Sequence, residues 1–283
     1  MENKSGWKMI DDIKDLPTMS VIYFKVNQML QTGEASIKNV ASLIEMDPAL
    51  SSKVLRLVNC AFYGFRSQIS SIPHAVMILG FNAVKNAIVT VSILDVLTIK
   101  EKFHNFNVND FWSHSVGVAV LSKQLAERSR LVTPEDAFTA GLLHDMGKII
   151  MLKYFQEDLA TILQTSQEDK SSFYDAELKV SSIGHVLIGA YLAKKWQFPD
   201  SIVESIACHH MRTKKSGISG MVPCIILADA LSNSQYQINP DDFIFAEEVE
   251  KIIKPIVINI KSWLPEAQAE IDMACEFFLK GRA

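Results

Sequence analysis

Glycine and proline are scarce in this chain, at 12 and 9 of 283 residues. That leaves little material for an architecture of many short strands joined by tight turns. No Asn-Gly or Asp-Gly pair occurs, so the strongest short hairpin signal is missing. Sustained period-2 alternation is missing too. The four cysteines, Cys60, Cys208, Cys224 and Cys275, contain no C-x-x-C spacing. They read as buried free thiols in a reducing compartment rather than as a disulfide framework. There is no basic stripe, and the net charge is -4, which argues against nucleic acid as a partner. No uncharged apolar run approaches the roughly 18–20 residues of a membrane span, and the polar start "MENKSGWKMIDD" does not resemble a signal peptide. These absences point to a cytoplasmic globular protein with no membrane partner. A hydrophobic content of 48% is enough for a substantial core.

What is present is helical periodicity. "SIKNVASLIEMD" sets Ile37, Val40, Leu43 and Ile44 on one face, with Ser36 as N-cap. Asp47-Pro48 reads as a second cap followed by proline at the first helical position, and Leu50, Val54, Leu57 and Val58 form the next stripe. Gly64 is placed to end that helix. Pro73 opens another, with Gly80 breaking it in two. Thr133-Pro134-Glu135 starts a helix expected to close on Gly147 as its C-terminal cap. The predicted fold class is all-α. The polar stretch 101–112 is the expected boundary between an N-terminal helical lobe, about 16–100, and a second lobe from about 105. Residues 213–283 are expected as a helical extension completing the second lobe, and 211–221 as a loop.

Five of the seven histidines gather in the second lobe near helix ends or inside helices. His114 lies in "FWSHSVGVAVL", His144-Asp145 in "LLHDMGK", His185 opens "GHVLIGAYLAKKW", and His209-His210 ends "PDSIVESIACHH". Asp229 stands between two alanines in the apolar run "PCIILADALS". A buried carboxylate there needs a cationic partner. Imidazole and carboxylate together suit divalent transition metals, namely iron, manganese, nickel or zinc, in one or two ions. A carboxylate can bridge two metals, and a metal pair can hold an attacking hydroxide and a phosphoryl oxygen. Adjacent side chains on a regular helix diverge by about 100°, so His144 and Asp145 converge best at a helix end. Lys148 could meet a phosphate as a point charge. His74 and His104 read as ordinary core histidines.

The order His114, His144-Asp145, Asp229 resembles the H…HD…D pattern of the HD superfamily of metal-dependent phosphohydrolases. "LPTMSVIYFKVNQML", "IKNVASLIEMDPALSSKVLRLVNCAFYG" and "ISSIPHAVMILG", with the later segments in collinear order, resemble an HDOD domain over about 16–212. The resemblance implies a multi-helical HD-type bundle and a bacterial signalling or regulatory protein. It also implies metal ligands at His114, His144, Asp145 and Asp229, with His185, His209 and His210 matching positions that hold a second ion in the related HD-GYP phosphodiesterases. Asp110, one turn before His114, is a further carboxylate or a helix cap. No Gly-Tyr-Pro follows the paired histidines, so cyclic di-GMP hydrolysis is not carried over. Arg212, Lys214 and Lys215 form a small basic cluster, read as a solvated loop or, functionally, as a phosphate-contacting loop in which Arg212 joins Lys148.

Two functions follow, beside a purely structural reading in which the polar cluster is a buried hydrogen-bonded network that helps the fold. The first is a regulatory module that binds a protein partner or a phosphorylated small molecule. The alternative is a metal-dependent phosphohydrolase acting on a nucleotide or cyclic dinucleotide, with Asp145 and Lys148 as its working residues.

Overall fold

The computed structural model describes residues 10–13, 15–59, 68–97, 103, 106–211 and 218–280. Among them the protein is all-α, with one isolated bridge, Phe103–Phe106, in place of any strand. It falls into two compact units. One comprises Met1–Leu16 and Ile99–Ser262, and the other Pro17–Thr98 and Trp263–Ala283.

The smaller unit holds α1 (Val21–Thr32), α2 (Ile37–Glu45), α3 (Pro48–Val58) and α4 (Ile72–Val96). Each start is written locally. Ser20, Ser36, Asp47 and Ser71 each accept a hydrogen bond from a free backbone N–H of the first turn. Val40, Leu43 and Ile44 are buried, whereas Ile37, expected on the same face, is 41% exposed. Gly80 interrupts α4 at φ 81° and ψ 170°. α4 has the length and composition of a membrane span, but this break divides it and 61% of its apolar window is buried within the protein.

The larger unit holds α5 (Val108–Ser129), α6 (Pro134–Leu143), α7 (Met146–Tyr154), α8 (Gln156–Asp169), α9 (Phe173–Val180), α10 (His185–Lys195), α11 (Asp200–Cys208), α12 (Met221–Asn233) and α13 (Glu247–Ile258). The early segment is tied in by backbone and side chain: Tyr154 donates to the Asp15 carbonyl and Tyr191 to the Asp11 carboxylate.

Three expectations need correction. Gly147 does not cap α6. That helix ends at Leu143, and Gly147 sits inside α7, where an added Cβ would lie 2.0 Å from the His185 carbonyl. Its small size serves close packing of α7 on α10, not a left-handed cap. Asp110 is not the cap of α5, since Asn107 caps it and helix begins at Val108. The C-terminal extension is also divided. α12 and α13 belong to the larger unit, but from Trp263 onward α14 (Ile260–Lys280) belongs with the N-terminal helices. Trp263, Ala267, Ile271, Ala274 and Phe278 form its buried stripe, and Arg56 of α3 lies 5.3 Å from the Phe277 ring centroid. Gly64, Cys60 and His104 lie outside the described residues. Of the other thiols only Cys224 is fully buried, and burial pushes its pKa up to about 12.

Candidate metal centre

Three helices and two helix ends deliver the predicted residues to one place in the larger unit. α5 carries His114. His144 and Asp145 occupy the two-residue turn between α6 and α7, where His144 is still helical and Asp145 leaves the helix at φ -101°, ψ 7°. That bend removes the angular divergence an unbroken helix would impose. α10 begins with His185, α11 ends into His209-His210, and α12 carries Asp229.

The ligand atoms form two groups, each within 4.8 Å across: Asp145, His185, His209 and His210 in one, and His114, His144 and Asp229 in the other. Asp145 belongs to both by geometry. Its Oδ2 lies 3.4 Å from His144 Nε2 and 3.8 Å from His114 Nε2, while its Oδ1 lies 3.2 Å from His185 Nε2 and 3.5 Å from His209 Nε2. Asp229 Oδ1 is 3.1 Å from His114 Nε2 and 3.7 Å from His144 Nε2. Asp110 is exposed and belongs to neither group.

The outer ring nitrogens of His114, His144, His185 and His209 are occupied. His144 Nδ1 donates to the Gly141 carbonyl at 2.7 Å and His209 Nδ1 to the Ile206 carbonyl at 2.8 Å. His185 Nδ1 donates to Glu177 Oε2 at 2.8 Å, and His114 Nδ1 pairs with Ser232 Oγ at 3.2 Å. With the proton on Nδ1, each of His144, His185 and His209 turns an Nε2 lone pair inward. His185 Nε2 then faces His209 Nε2 at 3.3 Å and His210 Nε2 at 3.2 Å. The facing lone pairs of His185 and His209, beside the Asp145 carboxylate, repel unless a cation lies among them. The spacing matches ligands on a common ion, since atoms about 2.1 Å from a metal sit ~3.0–3.4 Å apart at octahedral to tetrahedral angles. His144 Nε2 and Asp145 Oδ1 are moreover buried without a hydrogen-bond partner. The residues present therefore fit bound divalent metal.

The electrostatics agree. Burial pushes the pKa of His209 down to about 4 and that of His210 to about 2, keeping both rings neutral. Burial alone would raise Asp145, but Lys148 and His144 outweigh it and hold its carboxyl well below the usual range. For Asp229 burial is likewise outweighed, by the His114 hydrogen bond and His144. Burial opposes the charge on His144, yet Asp145 and Asp229 raise its pKa.

Lys148, in α7, places its Nζ 2.6 Å from Asp145 Oδ2 and 4.8 Å from the Phe173 ring centroid. Arg212, Lys214 and Lys215 lie outside the described residues. Four contributors escaped the sequence reading. Glu177 is buried behind His185, Tyr174 stacks on His210 at 4.2 Å between centroids, Ser232 meets His114, and Asn233 donates to Asp229 Oδ1 at 2.8 Å. Ser232 and Asn233 could have been found from the helical i+3 and i+4 spacing to Asp229. "SSFYDAELKV" offers nothing that separates Glu177 from a surface glutamate.

An all-α fold with a paired His/Asp cluster able to bind metal defines an HD-type protein. Residues 16–212 match the HDOD domain family, and the chain belongs to that family. Among solved structures it is similar to an HDOD domain protein of unknown function from Geobacter sulfurreducens, with 25% identity, a TM-score of 0.77, and 96% of this chain and 97% of that one covered. A candidate phosphohydrolase from Shewanella amazonensis SB2B shares the fold at 23% identity and a TM-score of 0.74, over 99% and 98% of the two chains. An uncharacterised protein of Treponema pallidum is 24% identical over 73% of this chain, and a ribonuclease Y of Mycoplasma mycoides 27% over 66%. The chain spans only 40% and 39% of those two relatives.

Proposed function

We propose that this HDOD protein binds two divalent transition-metal ions and uses them to hydrolyse a phosphoester. The observation that carries the reading is Asp145, whose two oxygens face two separate imidazole sets at 3.2–3.8 Å. His114, His144 and Asp229 would hold one ion, and His185, His209 and His210 the other, with Asp145 shared. Bound ions of this kind supply an activated water and neutralise developing phosphoryl charge. The chain's own residues do the rest. The carbonyls of Gly141 and Ile206 keep His144 and His209 in the ligating tautomer. Lys148, half-buried beside Asp145, would present its ammonium to a phosphate oxygen, with Arg212 the second phosphate contact the sequence proposes. The candidate phosphohydrolase and ribonuclease Y relatives support phosphoester chemistry. The substrate class is a nucleotide or cyclic dinucleotide, with RNA as the competing test substrate.

The regulatory module, placed first by the sequence, has one observation on its side. His144, Asp145, His185 and His209 are buried, and only His114, His210 and Lys148 are partly open. Metal or a phosphorylated ligand would then be bound without turnover and its occupancy read by a partner protein. Turnover separates the two readings. Untagged protein purified without chelator under low oxygen should carry one or two equivalents of iron, manganese, nickel or zinc. It should cleave a member of a panel of mononucleotides, cyclic dinucleotides and a short oligoribonucleotide. Metal without turnover would favour the regulatory module, and absence of metal after incubation with each ion would remove both metal readings.

A further inference from the structure

We infer that Glu177 is a positioning residue for the ion held by His185, His209 and His210: it fixes the His185 tautomer that leaves Nε2 free to ligate. The inference rests on the two-metal reading and deepens it. Glu177 lies on α9, eight residues before His185 and outside the His/Asp signature. Only 2% of it is exposed. Both its oxygens are committed to one residue. Oε1 accepts the His185 backbone N–H at 2.7 Å and Oε2 accepts the Nδ1–H at 2.8 Å. The first bond anchors the carboxylate at the open N-terminus of α10, where the backbone N–H would otherwise lack a partner. The second sets the ring. A carboxylate only accepts, so Nδ1 must carry the proton. Nε2 is then bare where it meets Asp145 Oδ1, His209 and His210 at 3.2–3.3 Å. An anionic acceptor behind the ring also raises the ligand strength of Nε2. Gly184 is part of the device, because a Cβ there would lie 2.7 Å from Glu177 Oε2.

The isosteric Glu177→Gln variant makes the inference testable. A carboxamide has one accepting and one donating end. If the oxygen keeps the backbone bond, the amide NH2 faces Nδ1 and drives the ring proton to Nε2, into the ligand cluster. Long-range proton–nitrogen spectra of metal-free protein should show His185 protonated at Nδ1 in the wild type and at Nε2 in Glu177→Gln. Metal titration should show one of two equivalents bound about 10–100-fold more weakly in the variant, with the other unchanged. Gly184→Ala, which displaces the carboxylate while keeping every charge, should weaken the same ion. A wild-type His185 protonated at Nε2, or wild-type affinity for both ions in Glu177→Gln, would overturn the inference. A merely structural role would leave the tautomer unmoved. The tautomer is read without metal. A wild type that takes up no ion yet shows the Nδ1 proton would sink the two-metal reading, and with it the ligating role, while leaving Glu177 as the residue that sets the His185 tautomer.

Discussion

Asp145 is 2% exposed and faces four imidazoles and the Lys148 ammonium. A carboxylate so placed is sustained by positive charge, whether of Lys148, a protonated His144 or bound metal. Asp145→Ala should therefore abolish binding of both ions while leaving the far-ultraviolet circular dichroism largely unchanged. Full metal content in that variant would refute the assignment. The metal-free protein carries a pH signature of its own. His209 and His210 have folded pKa values pushed down to about 4 and about 2 by burial. Below the unfolded value near ~6.5 the unfolded chain binds protons that these folded rings refuse. Metal-free stability should thus fall from pH 7 to pH 5, by up to about 1.4 kcal/mol per pH unit for each excluded proton. His144 acts in the opposite sense. Its raised pKa gives stability that is complete below ~6.5 and fades as pH rises through the folded value. Denaturant titrations of chelator-treated protein at the two pH values decide it. Greater stability at pH 5 would show that His144 outweighs the two neutral rings.

Among the helices, starts were legible and close approaches were not. Ser36 and Asp47 cap as short polar side chains do, because the cap bond lies within three residues of chain. Thr133 stands at the predicted start of α6 but hydrogen-bonds the Asp136 carboxylate rather than a backbone N–H. Two glycines illustrate different demands. Gly80 needs a backbone region open to glycine alone, with φ 81° and ψ 170°, although an added Cβ would meet nothing within 4 Å. Gly80→Ala should cost about 1–3 kcal/mol through strain only, measured as a lowered urea midpoint with metal binding unchanged. Gly147 has ordinary helical geometry but no room. Gly147→Ala must push α10 away from α7, so both stability and affinity for the ion near His185 should drop. Intact metal binding in Gly147→Ala would show that the α7–α10 contact does not position the site.

Over the whole molecule, chain order and spatial grouping part company. The HDOD match ends at residue 212, yet α12 supplies Asp229, Ser232 and Asn233 to the centre. A chain ending at residue 212 should bind metal far more weakly than the full chain, a loss that elemental analysis would report. α14 makes the complementary case. Removing residues 263–283 takes away the buried Trp263, Ala267, Ile271, Ala274 and Phe278. Hydrogen exchange should then quicken in α1–α4 and stay slow in α5–α7. Uniform quickening would mean that the two units do not unfold separately.

By itself the sequence determined the helical class, the starts of α2, α3, α4 and α6, the break at Gly80 and the identity of the seven metal-ligand candidates. These depend on 3.6-residue periodicity, on caps that act within one turn, and on side chains whose chemistry is costly to bury for any other reason. Tertiary structure alone decided which oxygen of Asp145 faces which histidines. It also decided that Glu177 rather than a surface carboxylate stands behind His185, that Gly147 is small for α10 rather than for a cap, and that α14 returns to the N-terminal helices. Each of those depends on atoms brought together from distant parts of the chain, and local periodicity carries no record of which distant segment fills a given space.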